Sequence, residues 1–411
     1  MSRNRRNIRE RRNINNYSKH IKVVLPIFVI LICITVLIIK ISKTQDAKTT
    51  EAAIDNEIYN ANIELTEDEK ESIENEYKRD IRLSVTVLGN ILCENSILES
   101  VSNKNYDFSS IFVNIKKHTN ASDITIAPVE TNFINKDYSG NIRYNSPRSL
   151  AQEIKNIGTD ILFLANNHSI DYGISGVKET KTTLEELELE NVGTKTDENE
   201  SNILIKNCRS IKLAFLSYTY GTNQKEEGYE NFVNIINKQT IENDIIKAKE
   251  EGAEYIIVNM HWGNVIGSKL NNEQIELTEF LVNLGVDIII GNHPASLQKI
   301  ETIINRDGKD VLIVNSIGNF ISSEEYQNSN LGVILNIELI KLKEDEKVYL
   351  NKVSYIPTYI QDNGENAENR YKILDIKEEI SNYENGMQNI SDNTYKKLKQ
   401  GLVKIKELIN G

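Results

Sequence analysis

The sequence predicts an α/β fold in which a mixed β core of two sheets is flanked by helices, preceded by one transmembrane helix. Short runs rich in Val and Ile alternate with helical patterns, as is typical of α/β proteins. The apolar runs are residues 83–88, 124–127, 160–165, 211–218, 254–260, 287–291, 311–315 and 331–339. The helical patterns include residues 150–157, 176–189, 241–251 and 273–284. Asp307-Gly308 lies between two strand patterns and predicts a hairpin turn, so part of the core is antiparallel and two sheets fit better than one parallel sheet.

The N-terminal residues predict a membrane anchor. Residues 1–20 form a basic cytoplasmic tail and residues 21–41 a transmembrane signal-anchor, with nine Lys or Arg against one acid in residues 1–41. The uncharged run from Val23 to Ile39 would span roughly 26 Å as a helix, near the ~30 Å hydrocarbon core of a bilayer. Because the positive charges precede the run, we expect a cytoplasmic N-terminus and an extracytoplasmic main domain. No small-x-small cleavage site follows, which favours a single-pass anchor in the cell membrane over a cleaved signal peptide.

Three further segments complete the predicted organisation. They are a polar stalk at residues 42–80, an α/β domain at residues 81–360 and a C-terminal helical tail at residues 361–411. Apolar residues recur in the tail at helical spacing, namely Leu398, Leu402, Ile405 and Ile409. This apolar face could pack on the α/β domain or bind a partner.

Charge and cysteine content restrict the function. The net charge of −12 divides into +8 over residues 1–41 and −20 over residues 42–411. An acidic body excludes nucleic acid as a partner, because it would not neutralise phosphates. It would also repel an anionic polymer unless a metal or a local basic patch intervened. Three cysteines, one of them inside the apolar N-terminal run, form neither a disulfide framework nor a zinc motif.

Polar, metal-competent side chains follow the apolar runs, at the strand ends where α/β sheets bind ligands. Three of the five histidines, His168, His261 and His293, stand just beyond such runs. One histidine after a strand is usually a turn residue, but three at one sheet edge indicate ligands or catalytic groups. Imidazole nitrogen, amide oxygen and carboxylate together form a mixed site for a divalent metal. The other candidates at these strand ends are Asn90, Glu130, Asn166, Asn167, Asp171, Trp262, Asn292 and Asn319.

Two of these segments also have simpler interpretations. Asn167 could cap the helix that begins near Ile174, a role compatible with metal ligation. The segment at residues 316–320 could be only a tight turn between strands. Asp171 follows His168 by three residues and could orient its ring through a hydrogen bond, as histidines in metal sites commonly require.

Five segments, in this order, resemble the CapA family, which is associated with poly-γ-glutamate or other capsule synthesis in bacteria. They are LANNHSIDYG (164–173), AFLSYTYGTN (214–223), NMHWG (259–263), GNHPASLQKIE (291–301) and NSIGNF (315–320). In motif order they are also similar to the calcineurin-like metallophosphatases. The resemblance covers residues 81–360 and implies a two-sheet fold of the calcineurin-like metallophosphatase type.

The resemblance also implies roles for single residues. Asn167, His261 and His293 would be metal ligands, Glu130 a bridging ligand and His168 the general acid. Asp171, which could orient His168, is the second residue expected to be catalytic. In a metallophosphatase, two metals orient and activate a water for attack on phosphorus. The residues expected to bind substrate are Asn166, Trp262, Asn292 and Asn319.

The chain departs from the family pattern at metal positions. An Asp of the pattern is Asn90, and the last His of a His-Pro-His element is Ala295. The first change loses a charge and the second removes a ligand, so the sequence predicts an eroded site. The expected cofactor is one divalent metal (Mn, Zn or Fe), held by Asn167, His261, His293 and Glu130, or none.

Three functions remain open at this stage. The favoured one is an extracytoplasmic protein of capsule synthesis, export or anchoring, and the alternatives are a metal-dependent hydrolase of phosphoesters or amides and a non-catalytic interaction scaffold. Whether the chain is an enzyme stays open. Expected partners are the membrane, an anionic polymer and other membrane proteins of a capsule synthesis complex. A single span without a G-x-x-x-x-G-K-[ST] motif cannot polymerise or export a polymer alone.

Overall fold

Two β-sheets form the centre of the described chain, which comprises residues 80–387 and 389–411 of a computed structural model. Numbered along the chain, the strands are β1 (Ile81–Val87), β2 (Asn90–Ile91), β3 (Ile124–Pro128), β4 (Ser139–Asn141), β5 (Arg143–Asn145), β6 (Ile161–Phe163), β7 (Glu190–Val192), β8 (Leu204–Cys208), β9 (Ile211–Thr219), β10 (Tyr255–His261), β11 (Ile288–Asn292), β12 (Ile300–Ile304), β13 (Asp310–Val314), β14 (Asn319–Ile321), β15 (Leu331–Lys341), β16 (Val348–Asp362) and β17 (Tyr371–Asp375). The helices are α1 (Asn95–Ser102), α2 (Ser109–Phe112), α3 (Lys116–Thr119), α4 (Arg148–Asn156), α5 (Gly173–Glu186), α6 (Lys238–Glu250), α7 (Asn272–Asn283), α8 (Ile376–Glu384) and α9 (Asp392–Asn410).

Both large sheets mix parallel and antiparallel pairs. The seven-stranded sheet has the order β17-β16-β15-β1-β3-β6-β7, and the six-stranded sheet has the order β12-β13-β11-β10-β9-β8. Strand β1 pairs in parallel with β3 and antiparallel with β15, while β10 is parallel to both of its neighbours. The carboxyl ends of the central parallel strands therefore point the same way in each sheet, and this edge carries the candidate site.

Apolar side chains fill the space between the sheets and cover both outer faces. Val85 and Ile257 belong to the layer between the sheets, Leu150 of α4 packs on the seven-stranded sheet, and Ile241 of α6 packs on the six-stranded sheet. Every residue of β10 is buried, which is why this strand begins with four consecutive apolar residues rather than an alternating pattern.

The predicted α/β class and the two-sheet mixed core are confirmed. Each of the predicted apolar runs overlaps a strand, and each predicted helical pattern overlaps a helix. The turn at Asp307-Gly308 joins β12 and β13, which pair antiparallel. A strand that was not predicted, β16, extends the larger sheet, and the expected helical tail begins instead with strand β17, which pairs with β16.

The predicted cytoplasmic tail, signal-anchor and almost all of the stalk lie outside the described residues. Within residues 80–387 and 389–411, no helix combines the length and the apolar character needed to cross a membrane. The C-terminal helices pack on the body, since Ile380, Leu398 and Ile405 share the apolar layer between the sheets.

Candidate metal centre

Three side chains from the two sheets meet at the carboxyl ends of their strands. Glu130 follows β3, His261 is the last residue of β10, and His293 follows β11. One ligand atom from each of these side chains lies within 4.8 Å of the other two. The structure therefore brings these three predicted metal ligands together at the seam between the sheets, and the fourth, Asn167, lies 2.8 Å from His261.

Glu130 and Asn90 form a buried pair on the seven-stranded sheet. Asn90 Nδ2 donates a hydrogen bond to Glu130 Oε1, and the two residues are only 2 % and 3 % exposed. Burial raises the pKa of Glu130 well above its ordinary value, and the charge of Glu324 adds to the rise. Asn90 Oδ1 is buried and has no hydrogen-bond partner among the described residues. A buried carboxylate and an unpartnered amide oxygen are donors that a hard or borderline cation accepts.

His261 is held between two amide oxygens. Its Nδ1 lies 2.5 Å from Asn292 Oδ1 and its Nε2 lies 2.8 Å from Asn167 Oδ1. Burial, and next the charge of His293, keeps the pKa of His261 well below its ordinary range, so the ring is neutral and carries one N–H. One ring nitrogen therefore faces an oxygen lone pair with no hydrogen between them. A cation shared by nitrogen and oxygen would relieve this contact, so the residues fit a metal.

Asn292 supports His261 from behind. Its Nδ2 donates to Asn259 Oδ1 at 2.5 Å, and Asn259 Nδ2 donates to Ser217 Oγ at 2.9 Å. This chain of buried polar groups crosses three neighbouring strands and fixes the orientation of the imidazole, as metal-site histidines require. Asn292 was expected to bind substrate, but the structure places it beneath the histidine as an orienting group.

His293 adopts an unusual backbone conformation. Its φ is +90°, in the left-handed region that non-glycine residues rarely occupy. The ring centroid lies 4.6 Å from that of His261 and 5.1 Å from that of Tyr220. Burial lowers the pKa of His293 to about 4, and the charge of His168 contributes. Strain of this kind persists where surrounding structure imposes it, commonly at functional sites.

His168 lies beside the three-residue cluster and is oriented by Asp171. His168 Nδ1 is 2.7 Å from Asp171 Oδ2, and its Nε2 is 3.3 Å from Asn223 Nδ2. Asp171 Oδ2 also accepts the backbone N–H of Tyr144 at 2.8 Å, and the Tyr144 ring lies 4.3 Å from the imidazole. The predicted His168–Asp171 hydrogen bond is present, and it points Nε2 away from Asp171, where it can exchange a proton with a bound group.

The structure places Asn166 and Trp262 in supporting positions rather than on a binding surface. Asn166 Nδ2 donates to the carbonyls of Val129 and Leu164. Trp262 is fully buried and donates its indole N–H to the Asn315 carbonyl at 3.0 Å. No part of the indole is accessible in this conformation, so the expected contact between Trp262 and substrate stays a prediction.

Asn319 and Ala295 complete the set of predicted residues. Asn319 pairs in register with Asn90 through β14 and β2, and its Nδ2 lies 3.3 Å from the Ser329 carbonyl. Ala295 is buried, and its N–H donates to the Val265 carbonyl at 2.9 Å. The backbone at Ala295 is held at the site, but its side chain offers no ligand.

Three residues near the centre were not predicted from the sequence. Tyr220 stacks on His261 with ring centroids 5.9 Å apart and planes 9° apart. It directly follows β9, so the rule that identified the other candidates could have found it. Tyr144 lies in the short strand β5 and Glu324 lies in the segment after β14, so no strand-end signal marks either residue.

Comparison with known proteins gives a consistent family. Residues 84–324 match the model of the family described as "Bacterial capsule synthesis protein PGA_cap". The "Capsule biosynthesis protein CapA" of Bacillus anthracis is 25% identical over 280 residues, which cover 64% of this chain and 65% of that protein. The "PGA biosynthesis protein CapA" of Bacillus subtilis (strain 168) is 24% identical over 272 residues, which cover 64% of this chain and 70% of that protein.

Similarity to solved structures is weaker. A Mycoplasma pneumoniae phosphatase is 13% identical with a TM-score of 0.40, covering 68% of this chain and 94% of that one. The NAD nucleotidase of Haemophilus influenzae is also 13% identical, with a TM-score of 0.41, covering 80% of this chain and 61% of that one. At these TM-scores the similarity carries no conclusion about activity.

Proposed function

The chain belongs to the bacterial capsule synthesis protein PGA_cap family, and from this we propose that it acts in the synthesis, export or anchoring of an anionic, poly-γ-glutamate-type capsular polymer. One observation carries the proposal. The family match at residues 84–324 contains the whole candidate centre, from Asn90 to Glu324, and the matched relatives are named for capsule and PGA biosynthesis.

The proposal includes a position at the outer face of the cell membrane. The basic tail and the apolar run at residues 21–41 support a single-pass anchor with the α/β domain outside the cell. The chain would then work beside other membrane proteins, which supply the energy for polymerisation and export.

We further propose that the centre holds one divalent cation. Glu130, His261 and His293 would bind it, with Asn167 Oδ1 and the unpartnered Asn90 Oδ1 as additional oxygen donors. Such a cation supplies Lewis-acid polarisation of a carbonyl or phosphoryl oxygen. The protein contributes a neutral His261 held by Asn292, and His168 Nε2 placed to exchange a proton. A cation would also reduce the repulsion between an anionic polymer and the acidic body.

Gene deletion and complementation test the capsule role. Deletion is expected to remove or shorten the surface polymer, measured by polymer content and chain length, and the wild-type gene should restore it. A His261→Ala variant present at wild-type level would show whether the centre is needed. Normal capsule in the deletion strain would contradict the proposed function.

A metal-dependent hydrolase acting on a phosphoester or a γ-linked amide is the second candidate. The arrangement of His168 with Asp171 beside the three-residue cluster favours it, because it adds a proton-transfer group to a metal centre. Hydrolysis of poly-γ-glutamate or of a generic phosphodiester should be lost with a chelator and restored by Mn²⁺ or Zn²⁺. Absence of turnover with every metal would leave a binding role.

A further inference from the structure

A lysine-lined groove lies beside the C-terminal helix, outside the residues that match the family. It has a volume of about 810 Å³ and is bounded by α9 and by the segment that leads into β15. The residues important here are Asn328, Asn330, Tyr359, Lys397, Lys399 and Lys404. The groove is distinct from the candidate metal centre, since it contains none of the residues of that centre.

The groove carries a charge opposite to that of the surrounding body. Helix α9 contains five lysines and two acids, whereas residues 42–411 as a whole carry a net charge of −20. Lys399 pairs with Glu384 at 3.1 Å, and Lys404 pairs at 3.1 Å with Glu407, the one acid among the residues that line the groove. Both pairs are exposed. Exposed ion pairs are weak, so these lysines can exchange their partners for the charges of a ligand. Lys397 forms no ion pair with a residue of the described chain.

The packing of α9 sets the spacing of the lysines. Leu398 and Ile405 are fully buried against the sheets, which turns the lysine face outward. Lys397 and Lys404 are seven residues apart, about two helical turns or ~10 Å, on the same face. Gly401 lies between them. A Cβ added to Gly401 would lie 2.9 Å from Leu331 Cδ2, so α9 packs closely on β15 at this point. Two separated cations along a groove suit a ligand with repeated charges better than a single small anion.

The other side chains lining the groove suit an amide-linked chain. Asn328, Asn330 and Gln400 supply side-chain amides, which both donate and accept hydrogen bonds. Val403, which is 59% exposed, supplies apolar contact area, whereas Tyr359 lines the groove but is only 8% exposed. Carboxylates, amide links and methylene groups are the three chemical features of a γ-glutamyl polymer, and the groove offers a partner for each.

We propose that this groove binds a segment of an anionic, amide-linked polymer, with Lys397, Lys399 and Lys404 contacting its carboxylates. The inference rests on the proposed function, which supplies the polymer class. It identifies the local basic patch that an acidic body needs in order to hold such a polymer.

Binding of fluorescent poly-γ-glutamate to the full-length protein in detergent micelles tests the groove. The variant Lys397→Glu with Lys404→Glu is compared with a matched control, Lys396→Glu with Lys406→Glu. The control changes the same net charge on exposed positions of the same helix that do not line the groove. We expect the groove variant to bind about tenfold more weakly and the control less than twofold more weakly. Unfolding temperatures of the two variants verify that both are folded.

Three outcomes would overturn the inference. They are no binding by the wild-type protein, equal weakening in both variants, and stronger binding to anionic phosphatidylglycerol vesicles than to the polymer with the same variant sensitivity. The last outcome would assign the lysines to a membrane surface. If gene deletion removes the capsule but the protein does not bind polymer through the groove, only the groove inference is refuted. If the groove binds polymer but the deletion strain has a normal capsule, only the proposed function is refuted.

Discussion

Asn90 donates a hydrogen bond to the buried Glu130 carboxylate while its own side-chain oxygen has no partner within the described chain. The amide at this position therefore does two things. It stabilises a carboxylate that burial would otherwise leave uncompensated, and it presents an oxygen to the centre. An aspartate here would supply a stronger ligand but could not donate to Glu130, so we expect asparagine to favour stability without metal and aspartate to favour metal affinity.

Asn90→Asp should make the protein depend on metal. Without metal, two carboxylates would face each other in a buried site, and we expect unfolding free energy to fall by about 1–3 kcal/mol. With Mn²⁺ the added charge should tighten binding by roughly tenfold or more, since the new ligand is anionic. Chemical denaturation of the variant in chelator and in Mn²⁺ measures both effects. Asn243→Asp, an exposed position on α6, should show neither change, and equal stability of Asn90→Asp in both conditions would argue against the assigned centre.

Measurements of bound metal and of turnover should distinguish the role of His261 from that of His168. His261→Ala should lose bound metal, because the ring lies between Asn167, Asn292 and Glu130. His168→Ala should keep the metal but lose any hydrolytic activity, because its ring is placed for proton transfer outside the cluster. Mass spectrometry of metal in the purified full-length variants, with turnover measured in parallel, checks this.

A third variant controls for a second group of potential ligands. His118 Nε2 lies 3.1 Å from Asp375 Oδ2, and Glu378 completes that group but also pairs with Lys117. His118→Ala should therefore leave metal content unchanged. Loss of metal from His118→Ala and not from His261→Ala would place the metal elsewhere.

The strands of the core could be predicted because they are buried on both faces. Residues 255–258 form a continuous apolar run for this reason, and β11 and β13 contain similar runs. Strand β16 could not be recognised, since its first nine residues are largely accessible and it contains Pro357, which usually argues against a strand interior. Its long antiparallel pairing with β15, a tertiary contact, overrides these local signals.

The sequence predicts those residues of the candidate centre that stand at the ends of strands. Glu130, His261 and His293 come together because parallel strands deliver their carboxyl ends to one edge. Trp262 occupies an equivalent position in sequence, but alternation along the chain turns its side chain into the core. Glu324 follows β14 within a connecting segment, and its approach to Glu130 depends on the path of that segment, which no local pattern encodes.

Stability should decrease as pH rises towards neutrality, because of Glu324. Burial, and next the charge of Glu94, raises the pKa of Glu324 from 4.5 to about 7. A carboxyl with a raised pKa binds its proton more tightly in the folded protein, so folding is favoured below pH ~5 relative to pH 8. Glu324→Gln should reduce this dependence, leaving the part that Glu130 contributes, and stabilise the protein at pH 8 by about 2 kcal/mol. Denaturation at pH 5.5 and pH 8 in chelator measures the effect.

The neighbouring residue provides the control for this prediction. Glu325 is exposed and differs from Glu324 by one position in the chain. Glu325→Gln removes the same formal charge from an exposed position. Because no buried environment is changed, the variant should keep the pH profile of the wild-type protein. A similar gain at pH 8 in both variants would show that net charge, and not the buried environment of Glu324, sets the dependence.

Glycine should have opposite effects on stability at His293 and Ala295, because φ is positive at His293 and not at Ala295. At φ +90° a Cβ is strained, so His293→Gly should be more stable than His293→Ala by about 1 kcal/mol, although both lose the ring contacts with His261 and Tyr220. At Ala295, which is buried and has no positive φ, substitution by glycine should instead destabilise by about 0.5–1 kcal/mol. Unfolding free energies of the three variants in chelator test this. If His293→Gly is no more stable than His293→Ala, the strained conformation is absent from the protein without metal, and the orientation of His293 must come from the bound cation and not from the fold.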